Sequence, residues 1–348
     1  MKVLFSVGHP GHVHLFKNLI WALQKKGHEC KILASDKDVS ISLLNAYSLD
    51  YTLAGNSKTS SFLLKVFGQL KTEHSLYKVA KKLKPDILVG GPGGLSVSHI
   101  GKILKIPSIV FDDTEHSKLE HYLMDPFATL ICTPSCYKRD LGNKQVRYNG
   151  YHELAYLHPN YFTPNPYVLH ELGLNENEPY VVMRFVSWGA AHDIGHQGLT
   201  LEDKRKAVYE LEKYGPVLIS SENCLPDDLE KYKISVTPDK IHNFLYYASL
   251  LYGESATMAS ECAVLGTHAI FCDYAGRGYT DEQEQKYDLV YNFYDETTMG
   301  QRSLNKAIKL LENPNLKMEG KNKCKILLSD KIDVTKFMVN LVEDILNK

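Results

Sequence analysis

The sequence predicts an α/β protein made of two doubly wound halves, each a parallel sheet covered by helices. Three observations carry that prediction. Short apolar runs alternate with amphipathic stretches along nearly all of the 348 residues, as repeated strand–helix units require. The rhythm breaks once, at 156–179, where Pro159, Pro164, Pro166 and Pro179 interrupt an aromatic, polar segment. The length is also comfortable for two cores and long for one.

Taken in order, strands are expected at 2–7, 29–34, 86–89, 107–111 and 128–132, with helices at 13–26, 38–47, 60–83, 93–104 and 136–140. Past the junction, strands are expected at 180–185, 216–220, 232–236, 249–252 and 268–272, with helices at 202–213, 240–248, 256–265, 281–290 and 301–312. The domains are therefore 1–160 and 161–331, and the last helix within 332–348 is expected to pack back on the first. Ligands of open parallel sheets sit beyond the carboxyl ends of the strands. Two such domains facing a central cleft would line it with loops 8–14, 90–94, 112–116, 186–198 and 253–258.

Composition narrows the class. The chain is 44% apolar and 23% charged, as ordinary globular proteins are. Its 40 basic and 41 acidic residues give no global attraction to nucleic acid or membrane. Seven cysteines, scattered apart from the pair Cys132 and Cys136, suit a reducing cytoplasm better than a disulfide framework or zinc ribbon. Met1–Gly8 reads as a strand, too short for a secretion signal. No apolar run nears the roughly 20 residues that span a bilayer. Lys58–Lys84, with seven lysines and one glutamate around Phe62–Phe67, suits either a core-packed helix or peripheral contact with an anionic inner membrane face.

The most informative segment is Gly253–Cys272. A Gly/Ser/Thr-rich turn opens a short helix that ends at Gly266, and an apolar strand follows. Unpaired amides at such a helix start, with the dipole behind them, suit a diphosphate. Thr257 and Glu261 are four apart and share a face, so a carboxylate able to take ribose hydroxyls stands beside the anion.

Other loops add chemistry. Gly8, Gly11 and His12 follow the first strand, and a histidine at a cleft mouth can act as general base near neutral pH. His9, His12 and His14 also have a spacing open to zinc, but no helical His-Glu-x-x-His supports it, so no metal is expected. Four glycines within 90–94 suggest close backbone approach to a ligand or to the partner domain. Asp112, Asp113 and Glu115 suit acid–base work, or capping. Ser187 and Gly189 lie in a small-residue loop suited to phosphate or base contact. Neither GxGxxG nor a Walker A motif occurs, which disfavours dinucleotide oxidoreductases and common kinases. Asp281 and Gln283 open a helix, where the amide can grip sugar hydroxyls.

Ser260-Glu261, Ala263, Gly266-Thr267-His268 and Gly11-His12 resemble the GT-B superfamily of nucleotide-sugar enzymes. Within it, the resemblance is to the transferase that adds N-acetylglucosamine to lipid-linked muramyl peptide and to non-hydrolysing UDP-N-acetylglucosamine 2-epimerases. Tyr148–Leu157 and His192–Gly195 look like the domain of unknown function 354 family of predicted glycosyltransferases, over essentially the whole chain. The resemblance implies a GT-B fold of two Rossmann-like domains, with Glu261 on the ribose and Ser255 and Thr257 at the diphosphate. It places Gly11 and His12 between donor and acceptor, and Asp281 and Gln283 at the donor sugar. Two positions depart from it: Glu284 stands where the transferase has a second glutamine, and Gly150–Leu154 lacks its arginine.

The expected activity is sugar transfer from a UDP-linked donor to a cell-surface glycan or lipid-linked acceptor, without cofactor or essential metal. His12 is the expected base, with Asp112 or Glu115 as alternatives. A sugar-nucleotide 2-epimerase, although the His-Val-Glu-Ala-Gly segment is missing, and a non-catalytic nucleotide-sugar-binding protein are the rival readings.

Overall fold

A computed structural model describes residues 1–54, 62–176, 178–185, 198–221, 224–234 and 236–347, with the backbone alone for 62–66. The chain divides into two compact units, Met1–Tyr161 with Ile332–Lys348, and Phe162–Lys331.

The first unit runs β1 (Lys2–Val7), α1 (Pro10–Lys25), β2 (Glu29–Ser35), α2 (Ser40–Ala46), β3 (Thr52–Ala54), α3 (Phe62–Leu83), β4 (Ile87–Gly90), α4 (Leu95–Leu104), β5 (Ser108–Phe111), α5 (Lys118–Met124), β6 (Leu130–Pro134), β7 (Gln145–Tyr148) and α6 (Leu154–Leu157). Its seven strands are parallel in the order β3-β2-β1-β4-β5-β6-β7. The central strands β4 and β5 are buried at every position, because helices cover both faces. Strand order reverses between β1 and β4, which opens a crevice beyond their carboxyl ends.

The second unit runs α7 (Tyr167–Glu171), β8 (Val181–Arg184), α8 (Leu201–Leu211), β9 (Val217–Ser220), α9 (Ile241–Tyr247), β10 (Leu250–Gly253), α10 (Ala256–Leu265), β11 (His268–Cys272), α11 (Gly278–Gln285), β12 (Val290–Phe293), α12 (Met299–Leu311) and α13 (Leu316–Asp330). Its five strands are parallel in the order β12-β11-β10-β8-β9, so the reversal falls between β8 and β10. Gly253 faces Arg184 across that junction, and a Cβ there would lie 1.9 Å from the Arg184 carbonyl oxygen. Only glycine fits.

The chain then returns to the first unit as α14 (Val334–Leu346). Asp333 caps α14 by accepting the Lys336 amide at 2.9 Å, and also accepts from the Tyr161 hydroxyl and the Asn160 amide, each at 2.9 Å. The Ala155 carbonyl collects Asn18 of α1 at 2.8 Å and Thr335 of α14 at 2.7 Å. Residues 149–157 are thereby held against α1.

Two expected elements are corrected. Residues 136–140 form no helix, because the Arg147 guanidinium takes the carbonyls of Ser135, Tyr137 and Arg139, leaving them no helical partners. Around 232–236, the described residues form a short 3-10 turn (Glu230–Tyr232) and a single bridge from Lys233 to Ile219, and no strand.

Candidate functional site

At the crevice of the first unit, Gly8 and His9 leave β1 and Pro10 starts α1. His9 is the N-cap, its Nδ1 accepting the Gly11 amide at 3.1 Å, so both residues of that pair are committed to the helix start. His14 is also structural: it stacks on Tyr156 at 5.3 Å and contacts the Tyr47 hydroxyl at 3.3 Å. Half-buried His12 differs. Its Nδ1 accepts the Gly8 amide at 3.3 Å, and its ring lies over Gly91, where a Cβ would meet it at 2.7 Å. Burial, then the neighbouring His9 and His152, push its pKa down to about 3, against a partial upward pull from Asp113.

The glycines at 90–94 have packing reasons of their own within this unit. Cβ atoms at Gly90, Gly91 and Gly94 would strike Val97, His12 and Val110, all within this unit, and Gly93 has a φ of +72°.

Beyond β5, Asp112 is only 1% exposed. It accepts from the Tyr137 hydroxyl at 2.9 Å and the Thr114 amide at 3.2 Å, and lies 3.3 Å from His121 Nε2. Burial and Asp113 raise its pKa, while His121 and Tyr137 oppose the rise. Asp112 is thus sealed in an internal network and not presented to a substrate, a correction to its expected catalytic place. Glu115 accepts the Lys138 amide at 2.8 Å and ties down the loop after β6. Asp113 faces a second histidine: its Oδ2 lies 3.2 Å from His152 Nδ1. His152 was not singled out as a functional residue from the sequence. Its signal lay only in the Tyr148–Leu157 resemblance, since its chemistry arises when 149–157 returns across the strand ends.

In the second unit, the turn after β10 builds the other candidate. Glu254 accepts the Leu199 amide at 2.9 Å and pairs with the buried Lys204 ammonium at 3.1 Å, which ties the start of α8 to the turn after β10. Ser255 caps α10, its hydroxyl accepting the Met258 amide at 3.3 Å. That leaves the first-turn amides of Ala256 and Thr257 pointing out of the helix, with Thr257 exposed. One turn on, buried Glu261 lies 2.9 Å from His242 Nε2 of α9. Gly266 ends the helix in the left-handed region at φ 76°, and Thr267 donates to the Leu245 carbonyl at 2.9 Å, so the end of this motif is packing.

Two expected sugar contacts are placed differently. Gln283 is wholly buried, its amide nitrogen donating to Ser260 Oγ at 2.7 Å, so it is not open to a sugar in this conformation. Its Oε1 has no partner among the described residues. Asp281 accepts from the Tyr294 hydroxyl. Ser187, Gly189, His192, Asp193 and His196 lie outside the described residues. Among the described residues, no group of three or more His, Cys, Asp or Glu side chains could hold a metal ion.

A family model described as a protein of unknown function, DUF354, matches residues 1–347. The chain belongs to the DUF354 family. Solved structures with the same fold include the S. aureus MnaA–UDP co-structure, at 13% identity and a TM-score of 0.71 over 99% of this chain and 97% of that one. A second is the UDP-GlcNAc 2-epimerase of Neisseria meningitidis bound to UDP-GlcNAc, at 11% identity and 0.70 over 99% and 100%. A third is SsfS6, a glycosyltransferase of Streptomyces sp. SF2575, at 13% identity and 0.61 over 99% and 99%. No curated protein matches. The fold of this DUF354 member is therefore the GT-B fold shared by UDP-GlcNAc 2-epimerases and glycosyltransferases. Among the described residues, no helix is long and apolar enough to cross a membrane.

Proposed function

We propose that this chain transfers a sugar from a nucleoside-diphosphate donor, UDP-linked, to a hydroxyl of a glycan or lipid-linked acceptor. The observation that carries the reading is the start of α10, a ten-residue helix opening at the strand-order reversal of the second unit with a carboxylate one turn in. The diphosphate would lie on the amides of Ala256 and Thr257, and Glu261 would take the ribose hydroxyls in exchange for part of its contact with His242. As the sugar–phosphate bond breaks, its electron pair passes to the departing phosphate oxygen. Helix amides stabilise that charge without a metal. The acceptor oxygen bonds to the anomeric carbon and its proton passes to a base. The names of the similar structures, which include UDP and UDP-GlcNAc complexes, support a uridine nucleotide.

The test is calorimetric titration with UDP, UDP-N-acetylglucosamine, ADP and GDP. Saturable binding of the uridine compounds, weakened in Glu261→Gln, supports the reading; no binding of any of them contradicts it. Asp113 at the end of β5, paired with His152, favours a second reading, a 2-epimerase, which needs acid–base groups around the sugar. UDP-N-acetylglucosamine incubated alone in D2O separates the two, since an epimerase exchanges hydrogen at C2 without acceptor. Binding without transfer or exchange would leave a nucleotide-sugar-binding protein.

A further inference from the structure

We propose that His152, oriented by Asp113, is the group that takes the acceptor's proton, and that His12 beside it serves as a hydrogen-bond donor. This rests on the transferase reading and assigns its base to a residue other than the expected His12, Asp112 or Glu115.

The argument begins with tautomers. A neutral imidazole has one N–H and one lone pair. His12 Nδ1 accepts from the Gly8 amide, so its ring hydrogen sits on Nε2 and no lone pair remains for a proton. His152 has the reverse arrangement. Its Nδ1 faces the Asp113 carboxylate at 3.2 Å and carries the hydrogen, which leaves the lone pair on Nε2. That Nε2 is buried and has no partner among the described residues. The Tyr148 hydroxyl is likewise buried and unpartnered, and its ring lies nearly parallel to that of His152, 13° apart with centroids at 6.3 Å. Buried polar atoms are almost always satisfied, so two neighbouring exceptions mark a place for an oxygen-bearing group.

Position agrees with this chemistry. Asp113 follows β5, His12 follows β1, and Ala155, three residues past His152, is tied to α1 and α14. A carboxylate behind an imidazole fixes its tautomer and stabilises the imidazolium formed on proton transfer. In the step itself, the acceptor O–H bond breaks, the proton goes to His152 Nε2, the oxygen bonds to the anomeric carbon, and the departing electron pair stays with UDP.

Among the described residues, the charged and titratable groups facing His152 are Asp112 and Asp113 from the end of β5, Tyr148 from β7, His12 from the start of α1, and Glu153 beside it. Burial opposes protonation of His152, but Asp113 and then Glu153 and Asp112 outweigh it and raise its pKa above 6.5. A base must be unprotonated to act, so turnover should fall as pH drops through that raised midpoint. If His12 were the base, the fall would come near pH 3.

The experiment measures UDP release from UDP-N-acetylglucosamine, UDP-glucose and UDP-galactose, with water as acceptor, from about pH 5 to about pH 9. Wild type, His152→Gln, His12→Gln and Asp113→Asn are compared, with UDP affinity and Tm measured in parallel. His152→Gln is expected to keep UDP affinity and Tm while turnover falls by about 10²- to 10⁴-fold and the acid limb disappears. His12→Gln should lose less and keep a limb above 6.5, and Asp113→Asn should move the limb down. Full turnover in His152→Gln, or a wild-type limb well below 6.5, overturns the assignment while leaving the transferase reading intact. UDP binding without release from any of the three sugars also removes the base assignment and leaves only the binding site. A folded wild type that binds no UDP overturns the transferase reading and this proposal with it. Long-range ¹H–¹⁵N spectra of the wild type give a check independent of turnover: a hydrogen on Nε2 of neutral His152 contradicts the arrangement.

Discussion

The two sheets reverse their strand order at equivalent places, β1/β4 and β8/β10, yet the two crevices are furnished in opposite ways. Beyond β10 the side chains are spent on one another: Ser255 caps its helix, Ser260 holds Gln283, Glu261 meets His242 and Glu254 meets Lys204. What remains to offer a ligand is chiefly backbone, the first-turn amides of α10. Beyond β1, β4 and β5 the backbone is tightly packed around glycines, and side chains remain, with His152 Nε2 and the Tyr148 hydroxyl unpartnered among the described residues. Fixed amides suit a permanent anion. Titratable side chains suit a proton in transit.

That contrast can be broken at several points. The largest effect is expected from Glu254→Ala, which removes the carboxylate 3.1 Å from the Lys204 ammonium, itself 1% exposed, and the acceptor of the Leu199 amide. Removing one partner of a buried pair costs about 3–5 kcal/mol. Urea unfolding should show that loss, and a change below about 1 kcal/mol would mean the pair is not internal. Gly253→Ala comes next, since its Cβ would overlap the Arg184 carbonyl. A loss of about 3 kcal/mol is expected in the same assay, because neither strand backbone can yield without parting β8 from β10.

Glu261→Gln is expected to act on ligand more than on fold. Hydrogen bonds to a charged group contribute about 1.5–3 kcal/mol, so UDP affinity should fall roughly tenfold to a hundredfold in calorimetry. The His152 titration in the other unit should not move. The smallest effect on stability is expected from Gly91→Ala, about 1 kcal/mol, because the His12 ring can swing away from the new methyl. Turnover should drop while UDP affinity holds, and an unchanged rate would remove His12 from the site.

Much of this was legible in the residues, for physical reasons. Strands such as β4 and β10 are unbroken apolar runs because both faces are covered, and the turn before α10 announces itself by composition. The edge strands β3, β7 and β12 escaped because they are short and partly polar; β7 carries Arg147, whose guanidinium also erased the expected helix at 136–140. The C-terminal candidate was visible because a helix start and a carboxylate four residues on are local features. The N-terminal one was visible only in part. Asp113 and His152 are 39 residues apart in sequence and meet only because Ala155 is anchored to α1 and α14. Likewise, no spacing rule pairs Glu261 with His242 or Glu254 with Lys204.

The most direct test is a crystal structure of the protein with UDP bound. The diphosphate should lie within hydrogen-bond distance of the Ala256 and Thr257 amides, with a ribose hydroxyl on the Glu261 carboxylate. UDP found away from the start of α10, or touching that helix through uracil alone, would contradict the assignment of this turn as the donor site.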